Sequence, residues 1–223
     1  MFVSAVVPGA GLGRRLGHRI PKALVKLGQV PIFIHTLNIL SRHPKIKEII
    51  LVLPSDSLNS ARRYLKKYPI KKIKQLVIGG ARRTDSVRNG LKIVSRGADL
   101  VLVHDAVRPF LSLSMISAVI NKAEKCGAAI LGVPVKPTIK EVNADGEVIR
   151  TLLRSRLYEV QTPQVFQRDL IINAYRRFHG MAAVDDAILV ERLGKKVRVV
   201  KGSYLNIKIT TPEDLVFARS ILN

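Results

Sequence analysis

Short apolar runs of strand length alternate with amphipathic stretches through the first 134 residues, and that alternation leaves few folds open. The apolar runs are 2–7, 48–53, 74–78, 100–104 and 128–134, with helical patterns at 31–41, 57–67, 84–94 and 112–125. Strands separated by helices predict an α/β fold: a mainly parallel sheet with helices on both faces. Right-handed crossovers bring the carboxyl ends of parallel strands to one edge, and ligands bind in open α/β sheets at that edge. The chemically suggestive segments 8–15, 79–86 and 104–108 all follow strand runs.

The first of them is the richest. The run 2–7 leads into Pro8-Gly9-Ala10-Gly11-Leu12-Gly13-Arg14-Arg15-Leu16, and Pro21-Lys22 follows. Glycine has no Cβ, so such a turn lets backbone N–H groups approach an anion closely. Arginine and lysine then supply the charge that a triphosphate needs. Spacing excludes two better-known loops. No Gly-Lys-Ser/Thr occurs, so this is not a P-loop; counting six from Gly9 or Gly11 reaches Arg14 or Leu16, so the dinucleotide fingerprint is broken.

The chain's 223 residues suit one α/β domain with a sizeable core. Aromatic residues make up only 5% and Trp is absent, so that core must be built from Val, Ile, Leu and Ala. No apolar stretch reaches the about 18 residues of a membrane span. The N-terminus lacks a basic-then-apolar signal pattern, and the single cysteine, Cys126, excludes an intrachain disulfide. A cytoplasmic protein is expected. The formal charge of +22 raises two possibilities, nucleic-acid binding or an enzyme for polyanionic small molecules. The cations are scattered (Lys45, Lys66, Lys71, Arg82, Arg83, Lys195 among them), without an aromatic cluster, zinc spacing or arginine-rich tail. That pattern predicts a solvated basic surface and no specific nucleic-acid partner.

Residues 136–159 break the alternation. Asp145-Gly146 between two alternating runs signals a β-hairpin, an insertion with no place in the central sheet. Its apolar positions, Ile139, Val142, Val148 and Ile149, need cover from its own domain or from a second subunit. The tail returns to the α/β pattern with runs at 196–200 and 206–209, then a helix capped near Thr211 with Pro212 at its first position.

Four separated segments now line up: 8–22; Gly79-Gly80-Ala81-Arg82-Arg83-Thr84-Asp85-Ser86-Val87; His104-Asp105-Ala106-Val107-Arg108-Pro109; and Asn206-Ile207-Lys208-Ile209-Thr210. Thr162-Pro163-Gln164 and Val184-Asp185-Asp186-Ala187 lie between the last two. In this order and spacing they resemble the 2-C-methyl-D-erythritol 4-phosphate cytidylyltransferase family, over essentially the whole chain.

The resemblance implies a Rossmann-like nucleotidyltransferase domain over 1–223, with 136–159 as a dimerisation arm. It implies that CMP passes from CTP to methylerythritol phosphate and that pyrophosphate leaves, in the non-mevalonate route to isoprenoids. Arg15, Lys22 and Lys208 resemble the family's catalytic cations, and Asp105 its carboxylate for Mg²⁺. Pro8, Gly9, Ala10, Gly11, Gly13, Gly80, Ser86 and Ala106 match nucleotide-binding positions. Arg108, Thr138 and Arg154 match positions for the sugar phosphate. In the family the arm builds a homodimer and helps complete the neighbouring site, so Thr138 and Arg154 would serve there.

The residues also carry plainer readings. Arg108 at a strand end is a common surface ion-pair partner, and Asp105 can cap a turn. His104 has no Ser or Cys nucleophile signature beside it and reads as a structural hydrogen bond. Asp185 and Asp186 near a helix start read as dipole compensation more than as metal ligands. Thr162-Pro163-Gln164 reads as a turn shaping the pocket. The chain departs from the family pattern at Ala81, Pro137 and Val184, where an acid, an Asp and a threonine are usual. Ribitol-5-phosphate cytidylyltransferase, a close relative with nearly the same motifs, is the near alternative and fits 104–110 and 206–211 well, while 134–140 leans toward methylerythritol phosphate. A basic nucleic-acid-binding protein reusing the fold is the alternative of another class.

Overall fold

The computed structural model describes residues 1–11 and 21–222. Among these residues the sheet core begins with β1 (Val3–Pro8), β4 (Ile46–Leu53), β5 (Ile73–Ile78), β6 (Leu100–Val103) and β7 (Ala128–Pro134). Each lies within two residues of an apolar run in the sequence. The helices between them are α1 (Ile32–Arg42), α2 (Leu58–Lys67), α3 (Arg83–Leu91) and α4 (Leu113–Cys126). Local chemistry sets the ends of α4: the Ser112 hydroxyl accepts the Met115 N–H at the start, and Gly127 at φ +83° ends it in the left-handed region. A short antiparallel pair, β2 (Lys26–Leu27) and β3 (Val30–Pro31), leads into α1.

The chain then departs from strict alternation. β8 (Lys140–Val142) and β9 (Val148–Thr151) form the expected hairpin as a separate two-stranded sheet. β10 (Tyr158–Gln167) follows, then α5 (Arg168–Arg177), α6 (Ala187–Glu191), β11 (Arg198–Lys201) and α7 (Pro212–Leu222). The main sheet has the order β11-β7-β10-β6-β1-β4-β5. Its pairs are parallel except where β10 runs antiparallel between β6 and β7. The sequence pattern does not predict β10. Thr162 and Pro163 interrupt its run, its register with β7 shifts between Gln161 and Gln164, and its first residues are exposed. Thr162-Pro163-Gln164 is therefore part of a strand and not a turn. The run 206–209 is likewise no strand; Asn206 N–H bonds the Ser203 carbonyl and Ile209 N–H the Val107 carbonyl, both at 3.0 Å.

Both faces of the sheet are covered by aliphatic side chains. Val3, Ala5 and Val7 of β1 point to one face and pack with α1, α4 and α7 through Leu37, Val119, Ile120 and Ala218. Val6 points to the other, with Val87 of α3, Ile171 of α5 and Val190 of α6. That period of two fixes which face each residue serves. The consequence for function is positional: β1, β4, β5 and β6 end side by side at one edge, where 9–11, 79–82 and 104–108 emerge. No helix among the described residues is long and apolar enough to cross a membrane.

Candidate active site

A cleft of about 390 Å³ opens at that carboxyl edge. The end of β1 and the loop after it line it through Pro8, Gly9, Ala10 and Gly11; the segment after β5 and the start of α3 line it through Gly80, Ala81, Arg82, Arg83 and Ser86. Asp105 and Val107 come from the end of β6, Lys208 and Thr210 from the approach to α7, and Lys22 from the chain leading to β2. The loops can close together because glycine leaves room. A Cβ on Gly9 would lie 2.9 Å from the Cβ of Ala106, and one on Gly79 would lie 2.4 Å from that of Ala10.

The structure thus brings together Pro8, Gly9, Ala10, Gly11, Lys22, Gly80, Ser86, Asp105 and Lys208. Ala106 is buried directly beneath the first loop. Arg108 is buried behind the cleft, where its Nη1 donates to the Asn206 carbonyl at 2.7 Å. Thr138 and Arg154 lie exposed on the arm and do not line this cleft; Arg154 donates to the Lys136 carbonyl. Gly13 and Arg15 fall outside the described residues. Of the three departures from the family pattern, Ala81 lines the cleft, Pro137 sits on the arm and Val184 is solvent-exposed.

Backbone donors in the two loops are used differently from the simplest anion cradle. The Gly9 N–H is spent on the Val52 carbonyl, extending the sheet. The Gly80 N–H goes to Ser86 Oγ at 3.1 Å, and Ser86 Oγ donates to the Arg82 carbonyl at 3.2 Å. A hydroxyl has one hydrogen and two lone pairs, so Ser86 keeps one acceptor site.

Cations converge on one carboxylate. Asp105 Oδ2 accepts from Lys208 Nζ at 2.8 Å and lies 3.8 Å from Arg108 Nε; Oδ1 accepts from Arg83 Nε at 3.1 Å. Burial alone would raise the Asp105 pKa, but Arg83, Lys208 and Arg108 together hold it well below the usual carboxylate range. Burial pushes the Arg108 guanidinium down, partly offset by Asp105. Lys22 Nζ donates to the Thr210 carbonyl at 2.8 Å. That carbonyl is fixed in turn, because Asp214 accepts both the N–H and the hydroxyl of Thr210 while capping α7.

Arg83 overturns the expectation that it belongs to a solvated basic surface. Its Nη2 donates to Asp186 at 2.7 Å, so the guanidinium bridges two carboxylates. Asp186 is fully buried and takes a second bond from the Tyr175 hydroxyl at 2.5 Å. Asp185 does what its position near a helix suggests, accepting the Ile188 N–H at the start of α6. Nothing in the sequence marks Tyr175, and only the neighbourhood of Ser86 marks Arg83.

Behind Asp105, Thr162 Oγ1 accepts the Asp105 N–H at 3.1 Å and lies 3.0 Å from His104 Nδ1. The Arg108 carbonyl can only accept, so Nε2 carries the imidazole proton and donates to it at 3.1 Å, and the Thr162 hydroxyl donates to Nδ1. His104 is thus a structural hydrogen-bond centre. The strand placement of Thr162 is what lets it reach both neighbours.

Comparison with known proteins adds identity to this geometry. The family model described as 2-C-methyl-D-erythritol 4-phosphate cytidylyltransferase matches residues 3–223. A protein of that name from Syntrophus aciditrophicus (strain SB) is 45% identical over 226 residues, covering 99% of this chain and 95% of the relative. One from Bacillus mycoides (strain KBAB4) is 46% identical over 220 residues, covering 98% and 96%. Among solved structures, 4-diphosphocytidyl-2C-methyl-D-erythritol synthase from Anaerococcus prevotii DSM 20548 superposes with a TM-score of 0.88 at 36% identity, covering 99% of this chain and 96% of that one. The 2-C-methyl-D-erythritol 4-phosphate cytidylyltransferase of Thermus thermophilus gives 0.80 at 34% identity, covering 99% and 98%.

The burial of His104 has a measurable consequence. Desolvation lowers its pKa from an ordinary 6.5 to about 4. Between those values the unfolded chain holds a proton that the folded chain does not, so this stability is present above pH 6.5 and is lost as pH falls toward 4. The loss runs at up to about 1.4 kcal/mol per pH unit. Urea midpoints measured across this window should fall less steeply for His104→Asn than for the wild-type chain. Parallel pH profiles would show that His104 does not carry the dependence.

Proposed function

The chain belongs to the 2-C-methyl-D-erythritol 4-phosphate cytidylyltransferase family and is a cytidylyltransferase, and we propose that the cleft at the carboxyl edge of the sheet is its active site. The enzyme transfers CMP from CTP to 2-C-methyl-D-erythritol 4-phosphate, a step of isoprenoid biosynthesis. The family match favours that acceptor over ribitol phosphate, and an enzyme over a nucleic-acid-binding protein. One observation carries the placement: Lys22 and Lys208, distant in sequence, line one cleft together with the loop after β1 and the segment after β5.

In this reading an oxygen of the acceptor phosphate attacks the α-phosphorus of CTP. The bond from that phosphorus to the bridging oxygen breaks, and the electron pair leaves with pyrophosphate. The protein has little covalent work to do; it aligns the two phosphates and neutralises charge. Lys22 serves the triphosphate, with Arg15 near it in sequence. Lys208 serves the incoming phosphate and exchanges Asp105 for it. The free lone pair of Ser86 suits the 4-amino group of cytosine and disfavours the carbonyl that uracil carries there. Pro8, Gly9, Ala10, Gly11, Gly80 and Ala106 shape the base and ribose pocket, and Gly13 extends the same loop.

Asp105 is the one carboxylate lining the cleft among the described residues, and no group of three or more His, Cys, Asp or Glu gathers among them to cage an ion. That donor set fits a magnesium ion that brings phosphate oxygens and waters as its other ligands. Asp105 would hold it from the protein side, and the ion would supply positive charge to the triphosphate. The lone thiol of Cys126 suits a reducing compartment, and we place the enzyme in the cytoplasm.

The arm completes the site. The chain folds as one nucleotidyltransferase domain, and 136–159 reaches a second copy in a homodimer. Val142, Val148, Ile149 and Leu153 are each more than half exposed in the single chain. Covering them stabilises the pair by about 25 cal/mol per Å² of apolar surface. Thr138, Arg154 and Arg108 then address the acceptor, the first two from across the interface.

Pyrophosphate release with CTP, magnesium and each polyol phosphate tests the reaction. Methylerythritol phosphate should turn over and ribitol phosphate should not; turnover with ribitol phosphate alone would contradict the acceptor. Folded Lys22→Ala should lose on the order of 10²–10³ in kcat, and activity near that of the wild type would remove Lys22 from the mechanism.

Mixing inactive Lys22→Ala chains with inactive Arg154→Ala chains tests the arm. If Arg154 acts across the interface, mixed dimers recover about one working site. No recovery after verified subunit exchange would return Arg154 to its own chain, and a monomer in sedimentation would remove the role given to the arm.

A further inference from the structure

We infer that Arg83 is a positioning residue for cytidylyl transfer, set by the buried pair Asp186 and Tyr175, and that it fixes the Asp105 carboxylate so that Lys208 is presented to the phosphates. The inference rests on the reading of the cleft given above. Four contacts form one continuous path: Tyr175 Oη to Asp186 at 2.5 Å, Asp186 to Arg83 Nη2 at 2.7 Å, Arg83 Nε to Asp105 Oδ1 at 3.1 Å, and Asp105 Oδ2 to Lys208 Nζ at 2.8 Å. The path begins on α5, crosses to the residue before α6, enters α3 and ends at the cleft. Tyr175 and Asp186 do not line the cleft; among the described residues their side chains are linked to Asp105 through Arg83.

The geometry asks for arginine. A planar guanidinium addresses two carboxylates from two different N–H directions at once, whereas an ammonium is a single point of charge. Arg83 leaves one oxygen of Asp105 for Lys208 and pins the other. Its Nη1 is buried without a hydrogen-bond partner, which makes the two bonds it does form the whole of its anchorage among the described residues. Asp186 is itself held from behind, since Gln164 Oε1 accepts its N–H and that of Ala187. Pinned at Oδ1 by Arg83, the Asp105 carboxylate cannot turn freely, and its Oδ2 holds Lys208 in a set position. The lysine is therefore delivered to one place, and the cost of ordering it is met before substrate arrives.

The plain alternative is that Asp186 only neutralises a buried cation for stability. Steady-state kinetics of purified, folded Asp186→Asn, run alone and in an Asp105→Asn background, separates the two. Positioning predicts that Asp186→Asn lowers kcat on the order of tenfold with KM for CTP little changed. It also predicts that the same change costs little once Asp105 is already Asn, because the path is then broken downstream. Tyr175→Phe, which removes one hydrogen bond and leaves Arg83 paired, should show a smaller loss with the same background dependence. Arg83→Lys should not rescue kcat. A wild-type kcat in Asp186→Asn or Tyr175→Phe with only a lowered Tm, or an equal loss in both backgrounds, would overturn the inference. A wild-type chain that releases no pyrophosphate from CTP and acceptor would overturn the reading of the cleft, and the inference with it.

Discussion

A carboxylate taken almost wholly out of water is tolerable only with cations against it, and removing one partner of such a group costs about 3–5 kcal/mol. Asp105 is 5% exposed and has three cations within 4 Å. They come from three well-separated stretches of chain: the start of α3, the loop after β6, and the approach to α7. Each stretch is positioned by its own backbone, and none could move far without taking one of these cations away from Asp105. The cleft is shaped by that mutual dependence. Lys208 is the most exposed of the three, as the proposed exchange of its carboxylate for a phosphate requires.

The sheet supplies the frame. Parallel β1, β4, β5 and β6 deliver their following loops to one edge, and antiparallel β10 then places Thr162 where its hydroxyl ties the Asp105 backbone to His104. The aliphatic core sets distances, and the polar groups at its edge set the chemistry. The large basic excess divides accordingly. A few cations are built into the site, and many others, such as Lys66, Lys67 and Lys71, are exposed.

The regular part of this architecture was legible in the sequence because period and length report burial directly. The strand runs at 2–7 and 48–53, found as 3–8 and 46–53, and the hairpin at Asp145-Gly146 needed only hydrophobic pattern and turn chemistry. β10 was not legible, since a proline, a register shift and an exposed first third erase the period-two signal. At the site, Lys22, Asp105 and Lys208 were legible through their motifs, and the structure gathers them. The path through Asp186 and Tyr175 was not. Its members are spread over more than ninety residues from Arg83, and pairing at such separation leaves no local pattern. The arm residues Thr138 and Arg154 lie exposed away from the cleft, and the role proposed for them depends on a second chain.

That CTP lies in the cleft organised by Asp105 is tested most directly by a crystal structure of the chain with CTP and magnesium. The triphosphate should lie between Lys22 and Lys208, with cytosine against Gly80 and Ser86. Lys208 should be turned from Asp105 toward phosphate while Arg83 keeps its place. A nucleotide bound elsewhere, or one bound with the Asp105–Lys208 pair intact and remote from phosphate, would contradict it.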